Sequence, residues 1–319
     1  MQKIFNKFVL LAGLLAAVAI PVQCQKKLVR GCKGWGFFAE FLWAVNHLHY
    51  CRTHDKTPII YWGQPYAYYL PQGYNGSTNG WEYYFEPVST LSYTPEDQLH
   101  TPDFYPNDNN FSTLWDYQQY VNNLHLLEGD ELIKVKLSNF YYPNNGGYPV
   151  GEHLYSRNFR KYVKNEILNP YVRIRKNIQN TIDVFYANNM KDKRTIGLHL
   201  RGKFLWNESP FVETKIFLDY VNKQFADGNT QFFISTDQRQ LLEAARNQLK
   251  GKVIFYESQR FEQSTAPVAG LAKLHPILGE NVLIEAVLLS KCDHIVHGLS
   301  NVSTAALYFN PDVPHTLLY

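Results

Sequence analysis

Residues 195–201, Thr195-Ile196-Gly197-Leu198-His199-Leu200-Arg201, open the part of the chain that decides its fold. Their apolar alternation predicts a strand over Thr195–Leu200. Further strands are expected at Gln231–Ser235, Lys252–Tyr256, Asp293–Val296 and His315–Leu318. Helical spacing fills the gaps, at Val212–Phe225, Gln238–Leu249, Glu280–Ser290 and Ser300–Phe309. Strands alternating with helices predict an α/β fold with a doubly wound parallel sheet, because parallel neighbours need a crossover and a helix supplies it. Ligands of such sheets sit beyond the carboxyl ends of the strands, so chemistry is sought just after each one.

Three clusters stand there. His199-Leu200-Arg201-Gly202-Lys203 closes the first strand, and alternation puts His199 and Arg201 on one side. An Arg there can grip a phosphate through its bidentate fork, or pair with a neighbouring carboxylate. Ser235-Thr236-Asp237 follows the next strand and can equally cap the helix that begins near Gln238. Gly298-Leu299-Ser300-Asn301 offers a tight turn and a helix N-terminus, which is an anion site or simply a cap.

Upstream, Lys27–Arg30 reads as a strand, Gly34-Trp35-Gly36 as a turn, Phe37 to His54 as an amphipathic helix and Pro58–Trp62 as a second strand. This is a βαβ opening. His47, Cys51 and His54 share a helix face, but no second cluster with metal spacing accompanies them, so a half-buried helix surface is the better account. Residues 63–112 are dense in Tyr, Pro, Gly and Asn. Their rings suit either internal packing, the plainer account, or an acceptor surface for a sugar. Helices are expected again at Leu114–Leu126 and from about Ser156 to Asn188, the latter bent at Pro170, with a strand at Leu132–Lys136 between them.

Composition bounds the rest. The chain has 319 residues, 45% hydrophobic and 18% charged, with a formal net charge of +3. A disordered chain would need lower hydrophobicity and higher charge, and a nucleic-acid partner a basic footprint that is absent. The excess is aromatic: 23 Tyr, 20 Phe and 6 Trp. Lys3 and Lys7 precede an uncharged run from Phe8 to Ile20, which reads as a signal peptide ending near Cys24. The expectation is export to a periplasm or secretory lumen, with membrane contact only if that segment is retained. Cys32 and Cys51 are separated by about 20 Å of helix, too far for a disulfide.

Taken together, the glycine turn and helix, His-x-Arg after a strand, Ser/Thr-Asp after the next, and Leu288-Leu289-Ser290-Lys291-Cys292-Asp293-His294-Ile295-Val296 before a serine turn resemble the fucosyltransferase superfamily. That superfamily contains the alpha-1,6-fucosyltransferases, the nodulation fucosyltransferase and the protein O-fucosyltransferases. The likeness is best over residues 195–309 and weaker over 30–62. It implies a GT-B fold, two Rossmann-like domains facing across a cleft, here 25–192 on the acceptor side and 193–319 on the nucleotide side. It implies GDP-fucose as donor substrate, no cofactor, no bound metal, and a glycan or protein hydroxyl as acceptor. Arg201 would contact the diphosphate, His199 and Asp293 the guanine, and Ser300 and Asn301 a phosphate. Asp237 would join the donor site, and Gly34, Trp35, Gly36 and Phe37 would line the cleft. Glu208 is the carboxylate best placed as general base. Where family members often read His-x-Arg-Arg/Gly-Thr-Asp, this chain reads His199-Leu200-Arg201-Gly202-Lys203-Phe204, so an acid is missing and Lys203 can add charge near the phosphates. A non-catalytic nucleotide- or glycan-binding protein on the same fold is the alternative.

Overall fold

A computed structural model describes residues 27–32, 34–97, 99–100, 133–135, 157–201, 212–262 and 275–318. The expected signal segment, the helix at Leu114–Leu126, Lys203 and Glu208 lie outside the described residues.

The βαβ opening forms, but its helix is buried nearly all round rather than amphipathic, with His47, His49 and Cys51 inside, and its second strand is Thr57–Ile60 rather than Pro58–Trp62. Strand β1 (Lys27–Arg30) leads through a turn into α1 (Phe37–Thr53), which returns to β2 (Thr57–Ile60). β1 pairs in parallel with β2 on one side and with β3 (Leu99–His100) on the other, giving the order β2-β1-β3. Between β2 and β3 the chain makes a series of turns and one 3-10 turn at Gly80–Tyr83. These turns close on an aromatic core in which Trp62, Trp81, Tyr66, Tyr83, Tyr84 and Phe85 are all at most 1% exposed. Many of these rings meet edge to face, as Trp62 does Trp81, the arrangement that sets positive ring edges against negative faces.

A second, wholly parallel sheet has the order β4-β9-β8-β5-β6-β7. Its strands are β4 (Ile133–Val135), β5 (Thr195–His199), β6 (Gln231–Ser235), β7 (Lys252–Ile254), β8 (His294–His297) and β9 (His315–Leu318). The intervening helices are α4 (Thr214–Phe225), α5 (Arg239–Gln248), α6 (Pro276–Ser290) and α7 (Asn301–Phe309). Strand alternation sorts the two faces. Ile196, Leu198, Phe232, Ile234 and Val296 pack with α4 and α5, whereas Phe233, Ile295 and Leu317 face the core shared with α6 and α7. That core runs on without a break into Phe41, Trp62 and Tyr84 of the first unit.

The single bent helix expected over 156–188 is instead broken. Helix α2 (Arg157–Tyr162) continues as a π-helical stretch Val163–Leu168 and a last turn Asn169–Tyr171. Helix α3 (Lys176–Asn189) then starts afresh. The break is made by pairing elsewhere. Ile174 bridges Phe85, Glu86 N–H donates to the Arg173 carbonyl at 2.8 Å, and Arg175 N–H donates to Tyr84 at 2.9 Å. Backbone bonded to the aromatic segment cannot also close a helical ladder.

Cys32, Cys51 and Cys292 are free and buried. The α1 histidines go to separate partners: His47 to the Leu28 carbonyl and the Cys51 thiol, His49 to the Tyr162 hydroxyl, His54 to the Tyr50 carbonyl. Among the described residues no three His, Cys, Asp or Glu side chains are grouped to hold a metal, and no helix is long and apolar enough to cross a membrane.

Candidate active site

The chain runs β5, β6, β7 in one direction along the second sheet, then returns to place β8 on the other flank of β5. The β5–β8 pair is therefore the switch point, where crossovers leave in opposite directions and where ligands of such sheets commonly bind. Two of the sequence clusters meet there. His199 is the last residue of β5, and its Nε2 lies 3.0 Å from Ser300 Oγ just past β8. Arg201 reaches the same turn, donating from Nη1 to the Leu299 carbonyl at 3.1 Å.

Ser300 serves two purposes. It is the N-cap of α7, and its Oγ accepts from the Val302 N–H at 3.2 Å. The cap and anion-site readings are thus compatible. Asn301 begins the helix and is exposed, so the α7 N-terminus opens to solvent beside Arg201. His199 is buried, and burial first, then the charge on Arg201, lowers its pKa to about 3. At neutral pH it is an uncharged imidazole, able to give or take one hydrogen bond without competing with Arg201 for an anion.

Asp237, two residues beyond β6, is exposed yet hemmed in by protein, and this desolvation raises its pKa against the opposing pull of Arg201. It does not occupy the α5 cap, which is Gln238. Tyr68, from the turns after β2, lies near enough to feel its charge. Burial, then the Asp237 charge, pushes the Tyr68 phenol up to about 12, so it remains a donor. Tyr68, from the first half of the chain, thus lies within electrostatic reach of Asp237 in the second, a proximity with no signal in the sequence.

Beneath lies a buried ionic floor. Glu285 of α6 accepts from Ser235 Oγ at 2.9 Å, Ser258 Oγ at 2.8 Å and Arg260 at 3.2 Å. Arg260 also donates to the Tyr256 and Ser258 carbonyls and lies over the Phe255 ring. Desolvation outweighs these partners and lifts Glu285 to about 7. The sequence carried a signal here: Glu285 is the one charge in the apolar run Val282–Leu289.

Two expectations need correcting. Asp293 lies just before β8 and accepts from the N–H of Thr195, the first residue of β5, at 2.7 Å. Since both strands run in parallel, it sits at the amino end of the sheet, a strand's length from His199. Phe37 is 2% exposed and packs edge-on against Trp62, Tyr84 and Tyr68, so it supports the turn from below. The rest of that turn is at the surface or tightly bent. Trp35 is 36% exposed, Gly36 caps α1, and Gly34 has φ +88 with Pro65 O only 2.4 Å from where a Cβ would stand.

No family profile matches the chain, and no curated protein matches it in sequence. Solved structures do. Fucosyltransferase NodZ from Bradyrhizobium aligns with 91% of this chain and 96% of its own, at 15% identity and a TM-score of 0.51. The fold is thus similar to that of this fucosyltransferase. POFUT1 in complex with GDP-fucose also aligns, over 93% of this chain and 98% of its own, at 10% identity and a TM-score of 0.45.

Proposed function

We propose that the chain is an inverting fucosyltransferase that moves fucose from GDP-fucose to a glycan or protein hydroxyl. The observation that carries this reading is the convergence of His199, Arg201 and the α7 N-terminus at the switch point of a parallel sheet whose fold is NodZ-like. In this reading residues 25–192 and 193–319 form the two lobes of a GT-B cleft. Arg201 and the α7 N-terminus stabilise the charge that grows on the leaving diphosphate. Lys203, which follows closely, adds to that field. His199 meets the guanine and Asp237 the donor sugar side. The acceptor oxygen bonds to fucose C1 as the C1–O bond to the β-phosphate breaks. Glu208 takes the acceptor proton, and GDP departs. The N-terminal segment directs export, so the reaction takes place in a lumen or periplasm supplied with the nucleotide sugar.

A second reading, a nucleotide- or glycan-binding protein without transfer, is favoured by one observation: Lys203-Phe204 stands where an acid is usual. Incubation with GDP-fucose separates the two. Transfer or slow hydrolysis by the wild type, lost in Glu208→Gln while GDP still binds, is the expected result. GDP binding with neither reaction leaves the second reading, and no GDP binding ends both as nucleotide readings.

A further inference from the structure

The first sheet also has a carboxyl end, and its chemistry is different. Tyr61 follows β2 directly, its N–H still bonded to the Arg30 carbonyl at 2.8 Å. Its ring stacks on Tyr93, with centroids 4.0 Å apart and planes 24° from parallel, and its hydroxyl bonds Tyr69. All three rings are only half-buried. This sets them apart from the knot a few residues on, where the rings are buried.

The Tyr61 ring is also held in place. It folds back over Gly63, where a Cβ would stand 2.6 Å from Tyr61 Cε1. Gly63 thus makes room for the ring. Burial first, then the nearby Tyr69 and Tyr93 phenols and the Cys32 thiol, hold the Tyr61 hydroxyl above its ordinary range. A flat apolar face edged with neutral hydroxyls matches a pyranose ring, which has a C–H face and a hydroxyl rim.

We propose that Tyr61, Tyr69 and Tyr93 form a subsite for a pyranose unit of an uncharged glycan, the acceptor chain of the transfer reaction. This rests on the fucosyl-transfer reading for the word acceptor, not for the sugar contact itself. The subsite follows β2 and leads, through the same turns, to Tyr68 near Asp237. It places the acceptor on the first unit and the donor on the second.

Calorimetry on the full chain tests it, with GDP in one arm and a panel of neutral and sialylated or sulfated oligosaccharides in the other. Binding of at least one neutral oligosaccharide is expected, weakened about tenfold by Tyr93→Ala and by Tyr61→Ala and little changed by Tyr61→Phe. GDP affinity stays the same in all three variants. Tyr93→Ala lies at the surface and keeps the test valid if Tyr61→Ala loses its fold. Equal binding by wild type and Tyr93→Ala, a preference for the acidic glycans, or no oligosaccharide binding at all overturns the subsite. Loss of GDP binding in the wild type with Tyr93-dependent sugar binding would overturn the nucleotide reading and leave the subsite standing.

Discussion

The two parallel sheets present the same end of the same topology to their surroundings and carry opposite chemistry there. Beyond β1 and β2 stand a glycine turn, an exposed tryptophan and stacked phenols, over an aromatic core. Beyond β5, β6 and β8 stand an arginine, a desolvated aspartate, a neutral histidine and a capped helix, over the buried Glu285–Arg260 pair. Topology sets where a ligand can sit, and the few residues after each strand set which ligand.

The sharpest way to break this contrast is at the ionic floor. Arg260→Ala leaves the buried Glu285 with two serine hydroxyls and no countercharge, and is expected to lower unfolding free energy by about 3–5 kcal/mol in chemical denaturation. A loss below about 1 kcal/mol would mean that the floor of the second site is no different from that of the first. Acid should expose the same asymmetry. His199, His294 and His297 in the second sheet, and His49 in α1, are lowered by burial to about 3, 4, 4 and 4. Their contribution is complete above the unfolded value near 6.5 and is lost as pH falls toward 4. Glu285, raised to about 7, acts oppositely: its contribution is complete below its unfolded value near 4.5 and lost as pH rises through 7. Near pH 5.5 the unfolded chain should hold about three more protons than the folded one, a slope of roughly 4 kcal/mol per pH unit. A flat stability profile between pH 5 and 6 would contradict the burial of these imidazoles.

Smaller effects locate the anion. Arg201→Ala should weaken GDP binding about a hundredfold, a loss typical of a charged hydrogen bond to phosphate, and leave thermal stability nearly intact. Undiminished GDP binding would remove Arg201 from the site. Ser300→Ala should cost about 1 kcal/mol as a lost helix cap, with a severalfold loss in GDP affinity as His199 loses its partner. If stability falls and affinity does not, Ser300 is a cap alone.

Much of the second sheet was legible. Strands β5, β6 and β9 begin where the alternation places them, and α1 spans nearly the whole expected helix, because both rest on short-range period and on glycine punctuation. That His199, Arg201 and Ser300 stand at or just after strand ends was legible by the same rule. That rule also argues against Asp293, which precedes its strand; the family likeness, not the spacing, had put it in the site. Glu285 was readable as a lone charge in an apolar helix. Tyr68 and the break before α3 were not, since each depends on the turns between β2 and β3, which follow no period.

Local sequence by itself determined the strands, most helices, the cap at Ser300 and the residues that stand after each strand. It did so because those features depend on neighbours within a few positions. Tertiary structure alone decided that β8 returns to the side of β5, that His199 meets Ser300 across 101 positions, and that Tyr68 comes within electrostatic reach of Asp237. Those meetings close long loops, and the free energy that closes them comes from burying a core to which both halves contribute.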